Sequence, residues 1–241
     1  MKILVVGDTH AEWAPFNRLI NRQRPDIVLQ VGDYGWWPHC HKKERLGRRR
    51  KLFNQYGVRN HQDGLKTKIY WCPGNHENWD SLDELGHDPV EVQEDIWYMP
   101  FGSLLELPDG RTVMFVGGAN SIDASSRKEG YSWWRQEVIS QEEMDRLPET
   151  EVDIIISHTV PRDWLYANPC LVNGYIQSEA YAKYRDPSTF ALQLIRERYQ
   201  PKRWISGHFH YSLDAEIDGC LWTSLNCTYS NDRWWIELED I

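Results

Sequence analysis

"KIYWCPGNHENWD" (residues 68–80) starts as a short apolar run, breaks at Pro73-Gly74, and places Asn75, His76 and Glu77 directly behind the break. The run reads as a buried strand, because it is short, aromatic and β-branched and ends at turn residues. Polar side chains at such a strand end have a physical use. In an open α/β sheet the loops beyond the carboxyl ends of parallel strands converge on one crevice, where ligands bind.

The rest of the chain repeats the pattern. "KILVV" (2–6), "DIVLQV" (26–31), "DIIIS" (153–157) and "RWIS" (203–206) are further short apolar runs, each closed by a small or polar cluster. Between the first two, Trp13, Phe16, Leu19 and Ile20 share one face at helical spacing and Pro25 stops the helix, which makes a βαβ unit. "SLLELPDGRTVMFVGG" (103–118) and "DAEIDGCLWTSL" (214–225) each carry an Asp-Gly turn between alternating strands, so both read as hairpins, and the C-terminal "RWWIEL" also alternates. Ser140 with Glu143 forms a capping box opening a helix that ends before Pro148. A second helix runs from about Ser188 to Tyr199, with Phe190, Leu194 and Ile195 expected to face the core.

The residues just past each buried strand share one chemistry. Asp8-Thr9-His10 comes after the first, Gly32-Asp33 after the second, Gly74-Asn75-His76-Glu77 after the third, His158 after the fourth and Gly207-His208-Phe209-His210 after the fifth. Two carboxylates, an amide and four or five imidazoles are too many donors for one ion. They suit a pair of divalent cations such as Mn, Fe, Zn or Ni, since imidazole accepts all of these and carboxylate adds hardness. Taken singly, each residue is ordinary loop polarity; coincidence at five strand ends sets that reading aside.

Composition agrees with a packed globular core. The 241 residues hold 41% hydrophobic and 13% aromatic side chains, enough for one large domain (1–241), and no linker divides them. No apolar run is long enough for a bilayer, so no membrane partner is expected, and the N-terminal run is too short for a signal peptide. The five scattered cysteines contain no C-x-x-C pair, which fits reduced thiols and a cytoplasmic setting. A net charge of −9 disfavours general nucleic-acid binding.

The blocks D-x-H, G-D, G-N-H-E, H and G-H-x-H, in this order from Asp8 to His210, resemble the signature of the calcineurin-like metallophosphoesterases. "GDYGWWP", "YWCPGNHENWD" and "SWWRQEVIS" are similar to a bacterial and phage branch of that family. The resemblance implies an α/β fold, a β-sandwich flanked by helices in four layers (α/β/β/α) and built on βαβ units. It implies that Asp8, His10 and His210 hold one metal, that Asn75, His158 and His208 hold the other, and that Asp33 bridges them. The expected activity is phosphoester hydrolysis by a hydroxide held between two cations, manganese first among them. The resemblance further implies that Asp33, Asn75 and His76 form the catalytic centre, with His76 protonating the leaving oxygen and Glu77 or Asp8 orienting it. Glu77 as a plain helix-start residue remains the alternative.

Substrate is the open question. The chain has "GDYGWWPH" where phosphoprotein phosphatases of this superfamily carry an arginine-bearing block. A monoester has two charges and gains from such a clamp; a diester has one and needs it less. The expected substrate is therefore a nucleotide or cyclic-nucleotide phosphodiester, such as a 2',3'-cyclic one, with Trp36, Trp37 and Trp79 available to stack a base. A phosphomonoesterase for nucleotides or phosphoproteins is the alternative, and a non-catalytic binding scaffold a remote third. An insertion around 39–66 carries a basic run, Lys42 to Lys51, whose Arg48, Arg49 and Arg50 either attract anionic substrate or form a solvated face. His39, Cys40 and His41 read as polar loop rather than a further metal site, and His61 and His87 as surface.

Overall fold

Alternate side chains of the short apolar runs face two different cores, and that alternation builds the sandwich. The computed structural model describes residues 1–38, 66–171 and 186–239. One sheet contains β1 (Ile3–Val6), β2 (Ile27–Gln30), β3 (Lys68–Trp71), β4 (Val90–Gln93), β5 (Ile96–Tyr98) and β12 (Trp235–Glu237), in the order β12-β1-β2-β3-β5-β4. The other contains β6 (Ser103–Glu106), β7 (Thr112–Val116), β8 (Ile154–Ser157), β9 (Arg203–Ser206), β10 (Leu213–Ile217) and β11 (Cys220–Ser224), in the order β10-β11-β9-β8-β7-β6.

Each sheet has the same plan. β1, β2, β3 and β5 are parallel neighbours, flanked by antiparallel β12 and β4. β7, β8, β9 and β11 are likewise parallel, flanked by antiparallel β6 and β10.

Ile3, Val5, Ile27 and Leu29 pack between the sheets against Val113, Phe115, Ile154, Ile156 and Ile205. Their neighbours Leu4, Val6 and Val28 turn the other way, onto Trp13, Phe16, Leu19 and Ile20 of α1 (Trp13–Gln23). On the far side Met114, Ile155, Trp204 and Trp222 meet Trp164 and Leu165 of α4 (Arg162–Ala167) and Leu192 and Ile195 of α5 (Pro187–Tyr199). The result is the expected four-layer α/β/β/α arrangement. Truncating an inter-sheet residue such as Ile156 costs about 2–5 kcal/mol. The layers therefore hold the strand ends in a firm relation.

Two short α-helices and three 3-10 turns (Ala124–Ser126, Arg135–Glu137 and Pro169–Leu171) lie between these elements. α2 (Trp79–Asp83) starts at Asn78, whose side chain caps the Ser81 amide, and α3 (Gln141–Asp145) has the expected capping box of Ser140 and Glu143.

The structure departs from the sequence pattern on one helix and one hairpin. Phe190 and Leu194 do not face the core: they are 53% and 42% exposed, and α5 packs through Ala191, Leu192 and Ile195. The helix contacts its sheet through a face rotated from the most apolar one. The β4–β5 hairpin has no clear mark in the sequence, because β4 is a half-buried edge strand of mixed polarity and its turn rests on Asp95 at φ 61°. The insertion around 39–66, with His39, Cys40, His41, the basic run and His61, lies outside the described residues except for Lys66. Among the described residues no helix is long and apolar enough to cross a membrane.

Candidate metal centre

The polar strand ends meet at one edge of the sandwich. β1, β2 and β3 of the first sheet bring Asp8, His10, Asp33 and Asn75; β8 and β9 of the second bring His158, His208 and His210. Four of these seven residues have left-handed backbone: His10 (φ 48°), Asp33 (φ 52°), His208 (φ 69°) and His210 (φ 50°). Non-glycine residues adopt that region at a cost, and such strain gathers at functional sites. Two glycines let the chain approach the carboxylates. A Cβ on Gly74 would lie 2.2 Å from Asp33 Oδ1, and one on Gly207 would lie 2.1 Å from Asp8 Oδ1.

The donor atoms form two adjoining groups. Ligand atoms of Asp8, His10, Asp33 and His210 all lie within 4.8 Å of one another. Within this group His210 Nε2 is 3.0 Å from Asp8 Oδ2, and His10 Nδ1 is 3.6 Å from Asp33 Oδ2. In the second group Asn75 Oδ1 is 2.9 Å from His158 Nε2 and 3.1 Å from His208 Nδ1, and His158 Nε2 is 3.4 Å from Asp33 Oδ1. Asp33 belongs to both groups.

The chemistry of this donor set fits cations. His158 Nδ1 lies 3.1 Å from the Val31 carbonyl, which accepts its proton and leaves Nε2 as a bare lone pair. Asn75 Nδ2 donates to Ser121 Oγ at 3.0 Å, which turns the amide oxygen toward that lone pair. Two acceptors 2.9 Å apart repel unless a cation lies between them. Hydrogen bonds that fix a ligand's tautomer and orientation in this way are typical of metal sites.

The electrostatics match. Burial alone would raise the Asp8 carboxyl, but the imidazoles of His158, His210 and His10 hold it well below the usual carboxylate range. Burial, then the Asp8 charge, pushes Asp33 up to about 8. Burial opposes charge on His210, yet its hydrogen bond to Asp8 raises it to about 11. His158 and His208 are pushed down by burial, which favours the neutral imidazole that coordinates metal.

His76 stands at the rim, half-buried, with its amide on Asp33 Oδ1 at 2.8 Å and its Nε2 4.0 Å from Asp33 Oδ2. Glu77 plays neither role expected of it. Its buried carboxylate accepts from the amides of Gly35 (2.9 Å) and Gly74 (2.7 Å), tying together the loops after β2 and β3, and α2 starts later, at Trp79. Trp36 and Trp37 are also corrected. They are 6% and 2% exposed within the core under α1, so neither presents a face to a base. Trp37 instead donates its Nε1 proton to the His76 carbonyl at 2.9 Å. Trp79 is buried in the same core, and His87 is exposed as expected. Arg48, Arg49 and Arg50 lie outside the described residues.

Other site residues carry no mark in the sequence pattern. Arg127, from the loop after β7, places Nη2 3.1 Å from His76 Nε2, supplying a guanidinium that the G-D block lacks. Ser121, from the same loop, orients Asn75. Tyr229, after β11, brings its hydroxyl 3.3 Å from His210 Nδ1. The usable signal is topological. By pattern β7 and β11 are only hairpin arms, yet both also pair in parallel, so their ends open on the same crevice.

Residues 1–212 match a family model described as calcineurin-like phosphoesterase. No curated protein sequence matches the chain. Among solved structures it is similar to the protein TT1561 of Thermus thermophilus, with a TM-score of 0.50 at 11% identity over 94% of this chain and 89% of that one. It is also similar to phosphopantetheinyl hydrolase (PptH) from Mycobacterium tuberculosis, with a TM-score of 0.47 at 15% identity over 98% of this chain and 95% of that one. At such identity the likeness to the Thermus protein is one of fold alone.

Proposed function

Because the chain belongs to the calcineurin-like phosphoesterases, a family of metal-dependent phosphoric ester hydrolases, we propose that it is a phosphodiesterase acting on a nucleotide or cyclic nucleotide. The observation that carries the reading is the pair of donor groups sharing Asp33, with His76 beside them. Asp8, His10 and His210 would hold one divalent cation, Asn75, His158 and His208 the other, and Asp33 would serve both. Manganese is the first choice, with Fe, Zn and Ni as alternatives that the same donors accept. When bound, such a pair supplies Lewis acidity and a water activated at neutral pH.

The chain's own groups do the rest. The Asp33 carboxylate holds the His76 amide, so the residue that joins the two donor groups also sets the position of the general acid. His76 donates its proton to the departing oxygen. Ser121 keeps the Asn75 amide turned for coordination. The preference for a diester is supported by the "GDYGWWPH" block, which has no arginine to grip a second charge. Arg127 favours a second reading, a phosphomonoesterase, because it brings a guanidinium to His76 from another loop. Both readings share one domain and one site.

The test is hydrolysis by manganese-loaded protein of bis-p-nitrophenyl phosphate, p-nitrophenyl phosphate and 2',3'-cyclic nucleotides. We expect metal-dependent turnover that is faster on the diesters. A faster monoester selects the second reading, and failure on all three with both metals bound overturns the proposal.

A further inference from the structure

We infer that Asp123 and Arg127 act together to set which phosphoric ester the site accepts, with Asp123 holding the guanidinium so that it offers one hydrogen bond instead of two. This rests on the hydrolase reading above and deepens it.

The loop after β7 is built to present this arginine. Its first turn is pinned to the first sheet by the Gly118 amide on the Pro73 carbonyl at 2.8 Å. Its middle is pinned by the buried Glu137 carboxylate, which accepts from the Ser121 amide and from Trp133 Nε1. Arg127 is engaged on every nitrogen. Nη1 lies 3.5 Å from Ser121 Oγ and 3.4 Å from the Ser132 carbonyl, Nη2 3.1 Å from His76 Nε2, and Nε 2.8 Å from Asp123 Oδ1.

Donor chemistry then limits what the arginine can do. Arg127 Nη2 is always a donor and lies 3.1 Å from His76 Nε2, so a phosphoryl oxygen that reaches His76 also meets this N–H group. That is a position for one phosphoryl oxygen. A guanidinium grips two oxygens at once through parallel N–H bonds, and its uncompensated charge attracts a dianion more strongly than a monoanion. Here Asp123 occupies Nε and offsets the charge, so Arg127 reaches the ester with Nη2 alone. One bond from a charge-compensated arginine suits a singly charged diester. Releasing Nε would open the fork and expose the full charge, which suits a dianionic monoester.

The experiment compares wild type with Asp123→Ala, which removes the acceptor on Nε at an exposed position and leaves the core untouched. Calorimetry on metal-loaded protein measures binding of inorganic phosphate, a dianion above neutral pH, and of dimethyl phosphate, a monoanion. We expect Asp123→Ala to bind phosphate about 10-fold tighter, the scale of one added hydrogen bond to a charged group, with dimethyl phosphate changed much less. The ratio of kcat/KM for p-nitrophenyl phosphate over bis-p-nitrophenyl phosphate should rise by a similar factor. The double variant Asp123→Ala/Arg127→Lys keeps a charge without a fork and should return both readouts toward wild type. Arg127→Gln gives an independent check: with Asp123 in place the arginine makes one bond to either anion, so both affinities should fall by similar factors. Unchanged phosphate binding in folded Asp123→Ala, or a phosphate-selective loss in Arg127→Gln, overturns the inference. Absence of hydrolysis in every variant would instead count against the hydrolase reading, while the binding measurements still judge the role of Asp123.

Discussion

The two sheets have one topology and opposite chemistry. Each offers four parallel strands to the crevice, but the first sheet brings both carboxylates and the amide, whereas the second brings imidazoles only. Joining the halves sets Asp8 beside His210 at 3.0 Å and Asn75 between His158 and His208. The centre therefore exists only where the sheets meet, and the inter-sheet core that aligns them is part of the site. The halves differ in a second way. β1, β2 and β3 end in donors, while β7 and β11 end in loops that carry Arg127 and Tyr229 around the rim. The first half brings four of the seven donors; the second brings the other three and also the rim residues Arg127 and Tyr229.

The sharpest break of this comparison is Asp33→Asn. Asp33 places carboxylate oxygens near ligand nitrogens of both donor groups, so its loss should empty both and lower activity by more than the roughly 10–100-fold typical of losing a residue that only supports a ligand. His208→Ala and His210→Ala, from the second sheet, should each remove one cation and leave the fold intact. Metal analysis reads the difference directly: fully active protein with under one ion per chain would refute the two-metal reading.

His76→Ala tests the rim and should come next in size. Both metals should remain, because the seven donors are untouched, while hydrolysis of a nucleotide diester should fall by about 10² to 10⁴. A nitrophenolate leaves without a proton, so bis-p-nitrophenyl phosphate should lose much less. Equal losses on both substrates would mean that His76 holds the phosphoryl group or the site geometry, and its role as acid would be withdrawn.

A smaller effect is expected from backbone crowding, and it should be matched across the sheets. Gly74→Ala and Gly207→Ala each drive a Cβ into a carboxylate, at Asp33 and Asp8 respectively. Each should weaken metal binding by about 10–100-fold, the scale of a disturbed ligand support. Titration of the metal-free variants with Mn would show it. Gly74→Ala should affect both cations and Gly207→Ala mainly one, and the reverse order would break the proposed sharing of Asp33.

These contrasts also explain what is legible in the sequence. The parallel strands, α1, α5 and the capping box at Ser140 come from local pattern, since each depends on residues close in sequence. The seven donors are readable because each sits directly behind an apolar run. Arg127 and Ser121 are not, because a residue many positions past its strand carries no local mark of facing a metal. Trp36 and Trp37 mislead for a related reason. They adjoin Asp33 in sequence, but the chain turns them under α1 and only their neighbours reach the crevice. Phe190 and Leu194 show the same limit on a helix, whose apolar stripe does not decide which face packs.

The mildest test concerns Glu137, a buried carboxylate that the second half places behind the rim loop. Glu137 contacts no proposed metal donor: it receives the Ser121 amide and Trp133 Nε1, and burial pushes it up to about 8. A group with a folded pKa above its unfolded value of 4.5 keeps a proton in the native state that the unfolded chain releases. Stability from this group is thus fully present below about 4.5 and lost progressively as pH rises through about 8. Thermal unfolding of the metal-free protein followed between these limits should show Tm declining with pH, and Glu137→Gln should flatten that decline. Because Glu137 lies outside both donor groups, Mn should raise Tm in wild type and variant alike, with the difference in slope preserved. If metal abolished that difference, Glu137 would have to be coupled to the centre through Ser121, and the separation of the rim loop from the donor groups would fail at that residue.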